Sequence, residues 1–308
     1  MTHEGAGLID NCLRSVFAEN PDIRVVVVDN ASEDGSGELA ARYENVEVIR
    51  LKRNKGFGVG CNIGITQAIG NGAEAVLLLN QDALLRDHAI ATLTGVVARQ
   101  PDIGILSPLH FTEDDTIIDP LFSKWLTEGN EQLLPDLLAG TKQDLYEVPF
   151  VNAACWLITK KCLDKIGGFD PLFFMYGEDE DFCRRARLHG LKVGIATTCR
   201  INHARTKKDR SETFRARVTW QANKYRSAMI GTLKDYSRPD WRCFVSVTGS
   251  IANWVFGELY RRNISGIAAV LVSAGSILPS LRTIIRHRHM CQEGKAFLPQ
   301  SLVDAEAC

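Results

Sequence analysis

The sequence predicts an α/β fold: a mostly parallel sheet flanked by helices, followed by a C-terminal helical region. Short apolar runs rich in β-branched residues, RVVVVD (24–29), VEVIRL (46–51), AVLLLN (75–80) and IGILS (103–107), are too short for helices, and the first stops at the turn-forming Asn30-Ala31-Ser32. Segments with helical spacing, Gly60 to Ile69 and His88 to Arg99, separate the later runs. Strands alternating with helices imply parallel pairing. From Ser211 onward the pattern turns helical, with TFRARVTWQANKYRSAMIGTLKDY ahead of Pro239 and two apolar stretches, 243–257 and 264–285.

Between these regions the elements follow in order. A helix is expected to begin near Gly7, and the stretch from Phe111 to Glu147, with its Asp and Pro clusters, reads as loops or a partial lid. VPFVNAACWLIT (148–159) reads as a strand, KKCLDKIGG as a short helix closed by glycine, and EDEDFCRRARLHG (178–190) as a helix ending at Gly190. KVGIA begins another strand. The resulting division is a catalytic unit over 1–210 and a helical region over 211–308.

Composition narrows the function classes. A chain of 308 residues, 45% hydrophobic and 24% charged, has room for one large domain plus an appendage. Its formal net charge of -1 supplies no whole-chain attraction for nucleic acid, so a polyanion must be held by a local site. The nine cysteines are scattered and odd in number, which argues against a disulfide framework or zinc knuckle and for a reducing compartment. No charged head followed by an apolar run opens the sequence, so the expectation is a cytoplasmic chain.

In parallel α/β sheets ligands sit beyond the carboxyl ends of the strands, which directs attention to Asp29, Asn30, Asn80, Gln81 and Asp82. A carboxylate at Asp29 can accept hydrogen bonds from a base or ribose, although an Asp after a strand also forms turns and caps helices. Asp82, two residues past LLLN, has the oxygen chemistry to hold a divalent cation that bridges phosphates; capping is again the alternative. FFMYGEDEDFCRR sets Glu178, Asp179, Glu180 and Asp181 directly after an aromatic run. A helix dipole favours acids there, yet four adjacent acids beside apolar surface push at least one pKa up toward that of a useful base. His203 in RINHART follows a strand, and a neutral imidazole suits the same cation as Asp82. Trp156 and Tyr176 offer ring faces to an acceptor sugar, or in the case of Trp156 a place in the core.

Taken in order, these fragments resemble the family-2 glycosyltransferases of the GT-A fold, in particular their bacterial rhamnosyltransferase-like branch. The resemblance covers residues 7 to about 205 through VVVVDNASEDGS, RNKGFGVGCNIGI, LLLNQDALL, VPFVNAACWLITKKCLDKIGGFDPLFFMYGEDEDFCRRARLHG and INH. It implies that Asp29 contacts the nucleoside, with Asn30, Asn62, Asn80, Trp156 and Glu178 among the substrate contacts. Asp82 and His203 would hold Mn2+ or Mg2+, and Asp179 would be the general base. The implied reaction moves a sugar, rhamnose among the candidates, from a nucleotide-diphosphate donor to a hydroxyl of a glycan or lipid-linked acceptor, with inversion, in cell-surface polysaccharide synthesis.

Two departures accompany the resemblance. The motif is Asn80-Gln81-Asp82 rather than a pair of aspartates, and the family's first apolar strand, which precedes the helix near Gly7, is lacking. An open backbone edge and impaired stability or activity are therefore expected.

The residues bear on three other functions. A nicotinamide dehydrogenase fails because GFGVG (56–60) is followed by Cys61 where the dinucleotide fingerprint needs glycine. A sugar nucleotidyltransferase lacks its basic glycine-rich N-terminal loop, and a non-catalytic nucleotide-sugar-binding protein is the remaining alternative. ISGIAAVLVSAGSILPSL, flanked by Arg261, Arg262, Arg282, Arg286 and Arg288, suggests either a helix lying on the inner membrane surface or a helical lid on the catalytic domain.

Overall fold

The computed structural model describes residues 1–86, 88–205, 213–294 and 296–299. The first half runs α1 (Ile9–Glu19), β1 (Val25–Asp29), α2 (Ser36–Ala40), β2 (Val46–Arg50), α3 (Phe57–Gly70), β3 (Ala75–Leu79), β4 (Ala83–Arg86), α4 (Ala89–Arg99) and β5 (Ile103–Thr112). It continues through α5 (Pro120–Gly129), α6 (Leu133–Ala139), β6 (Leu145–Glu147), β7 (Cys155–Thr159), α7 (Lys160–Ile166), α8 (Glu178–Leu188) and β8 (Lys192–His203). The C-terminal region is helical: α9 (Phe214–Leu233), α10 (Asp240–Tyr260), α11 (Ile264–Ile277), a 3-10 turn (Leu278–Ser280) and α12 (Leu281–Glu293).

Local chemistry explains the boundaries. In α1 the buried residues Ile9, Cys12, Leu13 and Val16 recur at helical spacing and make one apolar face. α7 starts where the Thr159 hydroxyl accepts from the Cys162 N–H at 3.2 Å, and it stops at Gly167, whose φ of 75° glycine tolerates. α5 opens with Asp119 as cap and Pro120 in its first turn.

The strands form two sheets. β1 and β2 pair in parallel, Val27 opposite Val48. The larger sheet has the order β3-β7-β5-β8-β4, with β6 also on β8. It is mixed rather than mostly parallel: β5 and β8 run parallel, whereas β7 is antiparallel to β3 and β5, and β4 and β6 are antiparallel to β8. Short apolar runs do not encode direction, so the spacing of strands and helices alone suggested more parallel pairing than exists. Pro108 sits inside β5 at a register shift, the kind of irregularity that lets an inner strand accommodate a residue with no N–H.

The first helix begins at Ile9, close to the expected Gly7. Two further expectations need correction. The stretch 111–147 contains two helices and a strand rather than loops alone. β4, too short to show a period, went unrecognised. The N-terminal edge is not wholly open, because Thr2 makes a parallel bridge to Asp29.

The core lies on both faces of the larger sheet. Trp156, Phe169, Phe182 and Ile195 belong to one cluster; Leu85, Leu93, Leu106 and Ile201 belong to the other. Among the described residues eight cysteines are free and buried, and Cys308 lies outside those residues. The C-terminal helices have their own cluster, Met229, Ile230, Val270 and Ile284, which closes over Phe173. The continuous helical stretch Ile264–Glu293 is long and apolar enough to cross a membrane by length and composition, with 33% of its apolar window buried.

Candidate active site

β1 delivers Asp29 and Asn30 to one end of the fold, both buried. The Asp29 carboxylate accepts from the Ser32 N–H at 3.0 Å and shapes the exit turn. A side chain at Gly37 would lie 2.5 Å from that carboxylate, so the start of α2 approaches it as only glycine permits. The Asn30 amide donates to Asn54 Oδ1 at 3.0 Å and to the Gly56 carbonyl at 3.1 Å, while its oxygen accepts from the Lys55 N–H at 2.9 Å. Asn30 thus fastens the strand end to the loop before α3.

That glycine-rich loop serves close packing rather than a dinucleotide. The Phe57 N–H donates to the Phe174 carbonyl at 3.1 Å, and a Cβ at Gly56 would stand 2.2 Å from that same oxygen. Within α3, Asn62 is also committed: its amide donates to the carbonyls of Phe169 (2.8 Å) and Phe297 (3.1 Å), and its oxygen accepts from the Phe169 N–H at 2.7 Å. Both amide hydrogens are used, so Asn62 orders the loop leading to α8.

β3 ends at Asn80, whose N–H donates to the Ala154 carbonyl at 2.9 Å. Gln81 ties this loop to the N-terminal residues: its Oε1 accepts from the Thr2 hydroxyl at 2.5 Å and the His3 N–H at 3.0 Å. The ends of β1 and β3 therefore lie side by side. Asp82 follows, half-buried, and the antiparallel register of β4 and β8 sets Ala83 opposite His203. His203 Nε2 stands 3.4 Å from Asp82 Oδ1, and its Nδ1 stands 3.3 Å from Asp119 Oδ2.

Asp119 was not picked out from the sequence. Its carboxylate caps α5 through the N–H groups of Leu121 (2.8 Å) and Phe122 (3.2 Å), contacts His203 and pairs with Arg205. Burial acts to raise its pKa, but these partners outweigh that and hold it far below the ordinary carboxylate range. Burial likewise opposes protonation of His203, and the carboxylates of Asp119 and Asp82 more than compensate, raising its pKa. The Asp119-Pro120 step is a helix-start signal, yet nothing in the sequence places it beside His203.

The acidic cluster opens α8. Tyr176 (φ 70°) and Gly177 (φ 84°) are both left-handed, a sharp reversal that aims the helix start inward. Its four acids have different fates. Glu180 pairs with Arg184 at 2.8 Å on the exposed side. Asp181 is buried between Arg185 (2.9 Å) and Lys234 (2.7 Å); burial alone would raise its pKa, but the two cations hold it at about 2. Glu178 is pushed up to about 8 by burial and by the adjacent Asp179 charge, and one of its buried oxygens has no hydrogen-bond partner. Asp179 is raised to about 6, chiefly by burial, with the Ala153 backbone N–H acting in the opposite direction.

The chain segment Ala153–Ala154 thus touches both groups: Asn80 on the Asp82 side and Asp179 on the other. Trp156 does not reach an acceptor. It is fully buried, stacked on Phe169 at 6.2 Å, because β7 lies inside the sheet between β3 and β5. Exposed aromatic surface near α8 comes instead from Phe174, Tyr176 and Trp220, with the Trp220 indole N–H 3.3 Å from the Tyr176 hydroxyl.

The C-terminal helices reach under this site. Fully buried Lys234 lies 2.5 Å from Asp170 and 2.7 Å from Asp181, and His287 Nδ1 lies 2.8 Å from Asp170. Arg288 also points inward, 2.8 Å from Asp240, so it is not part of an outward basic flank.

The family model described as glycosyl transferase family 2 matches residues 1–167. A low-salt glycan biosynthesis hexosyltransferase of Haloferax volcanii is 30% identical over 176 residues, 55% of this chain and 55% of that protein. An N-acetylglucosaminyl-diphospho-decaprenol L-rhamnosyltransferase of Mycobacterium tuberculosis is 26% identical over 219 residues, 61% of this chain and 69% of its own length. The chain therefore matches little more than half of the first relative. Among solved structures, a mannosyltransferase of Pyrobaculum calidifontis in complex with GDP-Man and Mn2+ shares the fold at a TM-score of 0.53, with 15% identity over 99% of this chain and 84% of the other.

Proposed function

The chain belongs to glycosyl transferase family 2, and from that premise we propose that it transfers a sugar from a nucleotide-diphosphate donor to a hydroxyl of a glycan or lipid-linked acceptor, inverting the anomeric centre. The observation that supports this reading is that Ala153–Ala154 bonds both to Asn80, two residues before Asp82 of the Asp82–His203 pair, and to the raised Asp179 carboxyl. Asp29 and the polar turn after it form the nucleoside side.

A divalent cation fits the atoms of Asp82 and His203. The 3.4 Å separation is too long for a strong hydrogen bond, and Nε2, the ring nitrogen that faces Asp82, is the one left to a ligand when Nδ1 faces Asp119. Both donors, a carboxylate oxygen and an imidazole nitrogen, suit Mn2+ or Mg2+. Asp119 would orient the ring from its far side, as outer carboxylates do for metal-binding histidines. Bound there, the cation would neutralise charge that develops on the departing diphosphate.

Asp179 accepts the acceptor's proton, and its raised pKa matches it to work near neutrality. Glu178, neutral at pH 7, keeps a second full charge away from the base and can donate to the acceptor. Asp181 is excluded as the base, being clamped by two cations. Phe174, Tyr176 and Trp220 give the acceptor apolar ring faces. With Trp241, Phe256, Tyr260 and Ile264 exposed on the C-terminal helices, and Arg242 and Arg262 exposed beside them, the chain works against the inner face of the cytoplasmic membrane.

The test is release of nucleoside diphosphate and transfer of labelled sugar, dTDP-rhamnose included among the donors, with and without Mn2+. Cation-dependent donor binding with neither transfer nor hydrolysis would favour a non-catalytic binding protein instead.

A further inference from the structure

Three amide side chains around the site are spent on the protein itself. Asn30 fastens the loop before α3, Asn62 the loop leading to α8, and Gln81 the N-terminal residues. Asn152 differs. Its Oδ1 is buried and meets no donor, although the residue as a whole is only half-buried. An asparagine beside a turn ordinarily bonds to its own main chain. Here the turn before β7 closes through the backbone instead, with the Ala154 N–H donating to the Asn152 carbonyl at 3.0 Å, and the side-chain oxygen is left over.

A buried oxygen without a donor costs stability and calls for a partner. The neighbours of Asn152 indicate which one. Val151, before it, is fully buried in the core. Ala153, after it, directs its N–H to Asp179, and the Ala154 carbonyl accepts from Asn80, two residues before Asp82. Asn152 therefore adjoins the strip of chain that joins the cation side to the base. In an inverting transfer the departing diphosphate and the incoming hydroxyl both act on the anomeric carbon, from opposite faces. A group stationed between them meets the sugar itself, and the hydroxyl nearest the anomeric carbon is the one on the adjacent carbon, the 2-hydroxyl.

A second orphan lies on the other side of the Ala153–Asp179 contact. Glu178, the residue before Asp179, has a buried oxygen with no partner, and it keeps its proton at pH 7. Glu178 thus offers a donor where Asn152 offers an acceptor. A hydroxyl, donor and acceptor at once, satisfies both.

We propose that Asn152 is a specificity-determining residue for the transferred sugar: its Oδ1 accepts a hydrogen bond from the 2-hydroxyl, and the chain selects donors that carry that group. The proposal rests on the glycosyl-transfer reading above. Hydrogen bonds to a 2-hydroxyl strengthen as positive charge develops at the anomeric carbon, so loss of the bond falls on turnover as well as on binding.

The test uses the full chain and whichever of dTDP-rhamnose, GDP-mannose and UDP-glucose the wild type transfers fastest, against the 2-deoxy analogue of the same donor. The readout is the ratio of kcat/KM for the parent to kcat/KM for the 2-deoxy donor. Asn152→Ala is expected to lower that ratio about tenfold or more, the worth of one hydrogen bond, by slowing the parent while sparing the 2-deoxy compound. Affinity for the matching nucleoside diphosphate should stay unchanged. The melting temperature should equal or exceed that of the wild type, because alanine removes an unsatisfied polar group. A residue that merely shapes the turn would lower the melting temperature and slow both donors alike. An unchanged ratio, or an equal loss on both donors, would overturn the proposal and leave the transferase reading standing. Donor binding without transfer would overturn that reading instead, and the same ratio taken from dissociation constants would still decide the role of Asn152. Binding of none of the three donors would overturn both.

Discussion

His203 Nε2 faces Asp82 Oδ1 at 3.4 Å across the β4–β8 pair, with Asp119 on the other nitrogen of the ring. Asp82→Ala is expected to abolish the part of donor affinity that depends on Mn2+, because the diphosphate loses its bridge. Titration calorimetry with nucleoside diphosphate, with and without Mn2+, measures it. Equal affinities in the wild type and the variant under both conditions would remove Asp82 from the site.

Asp119→Asn is expected to weaken Mn2+-supported donor binding by about 10–100-fold, the usual cost of losing an outer-shell partner. The same calorimetry reads it. An unchanged cation dependence would reduce Asp119 to a cap on α5.

The route to this arrangement was only partly legible in the sequence. Asp29, Asp82, Asp179 and His203 could be chosen because each ends or follows a recognisable element, and their order along the chain is distinctive. Asp119 could not, since its role arises from a contact with a residue that β8 brings back from far along the chain. Trp156 and Asn62 misled for the converse reason: a ring that can stack on sugar can equally fill a core, and an amide that can bind a ligand can equally fasten a loop. Direction in the sheet was likewise invisible, because a run such as CWLIT reads the same in parallel and antiparallel pairing.

The pH dependence follows from the two raised carboxyls. As a base Asp179 must be ionised, so turnover should rise with pH through about 6. Stability moves the other way. Glu178 titrates near 8 in the fold against 4.5 ordinarily, so the folded chain holds a proton that the unfolded chain releases. Its contribution is complete below about 4.5 and is lost as pH rises through about 8. Glu178→Gln should flatten that loss in urea denaturation across the interval; an identical slope in both proteins would contradict the assignment.

Lys234→Met should destabilise the fold by about 3 kcal/mol or more, since it leaves Asp170 and Asp181 buried with one cation fewer. Denaturant unfolding checks this. A shift within about 0.5 kcal/mol, the range of an ordinary surface substitution, would show that the cluster does not hold α8 to the C-terminal helices.

Phe256→Ser combined with Tyr260→Ser should lower sedimentation with vesicles that contain an anionic phospholipid, and added salt should lower it further by screening the exposed arginines. Full recovery of the unaltered chain in the supernatant at low salt would instead make the C-terminal region a lid.

The most direct measurement compares sugar transfer by the wild type and Asp179→Asn, with donor binding followed in parallel. Asparagine keeps the size and much of the hydrogen bonding of aspartate but cannot take a proton. The expected result is intact donor binding with turnover reduced about a hundred- to ten-thousand-fold, and a smaller loss for Glu178→Gln. Near-normal turnover by Asp179→Asn would contradict the assignment of the base and, with it, the reading of this site.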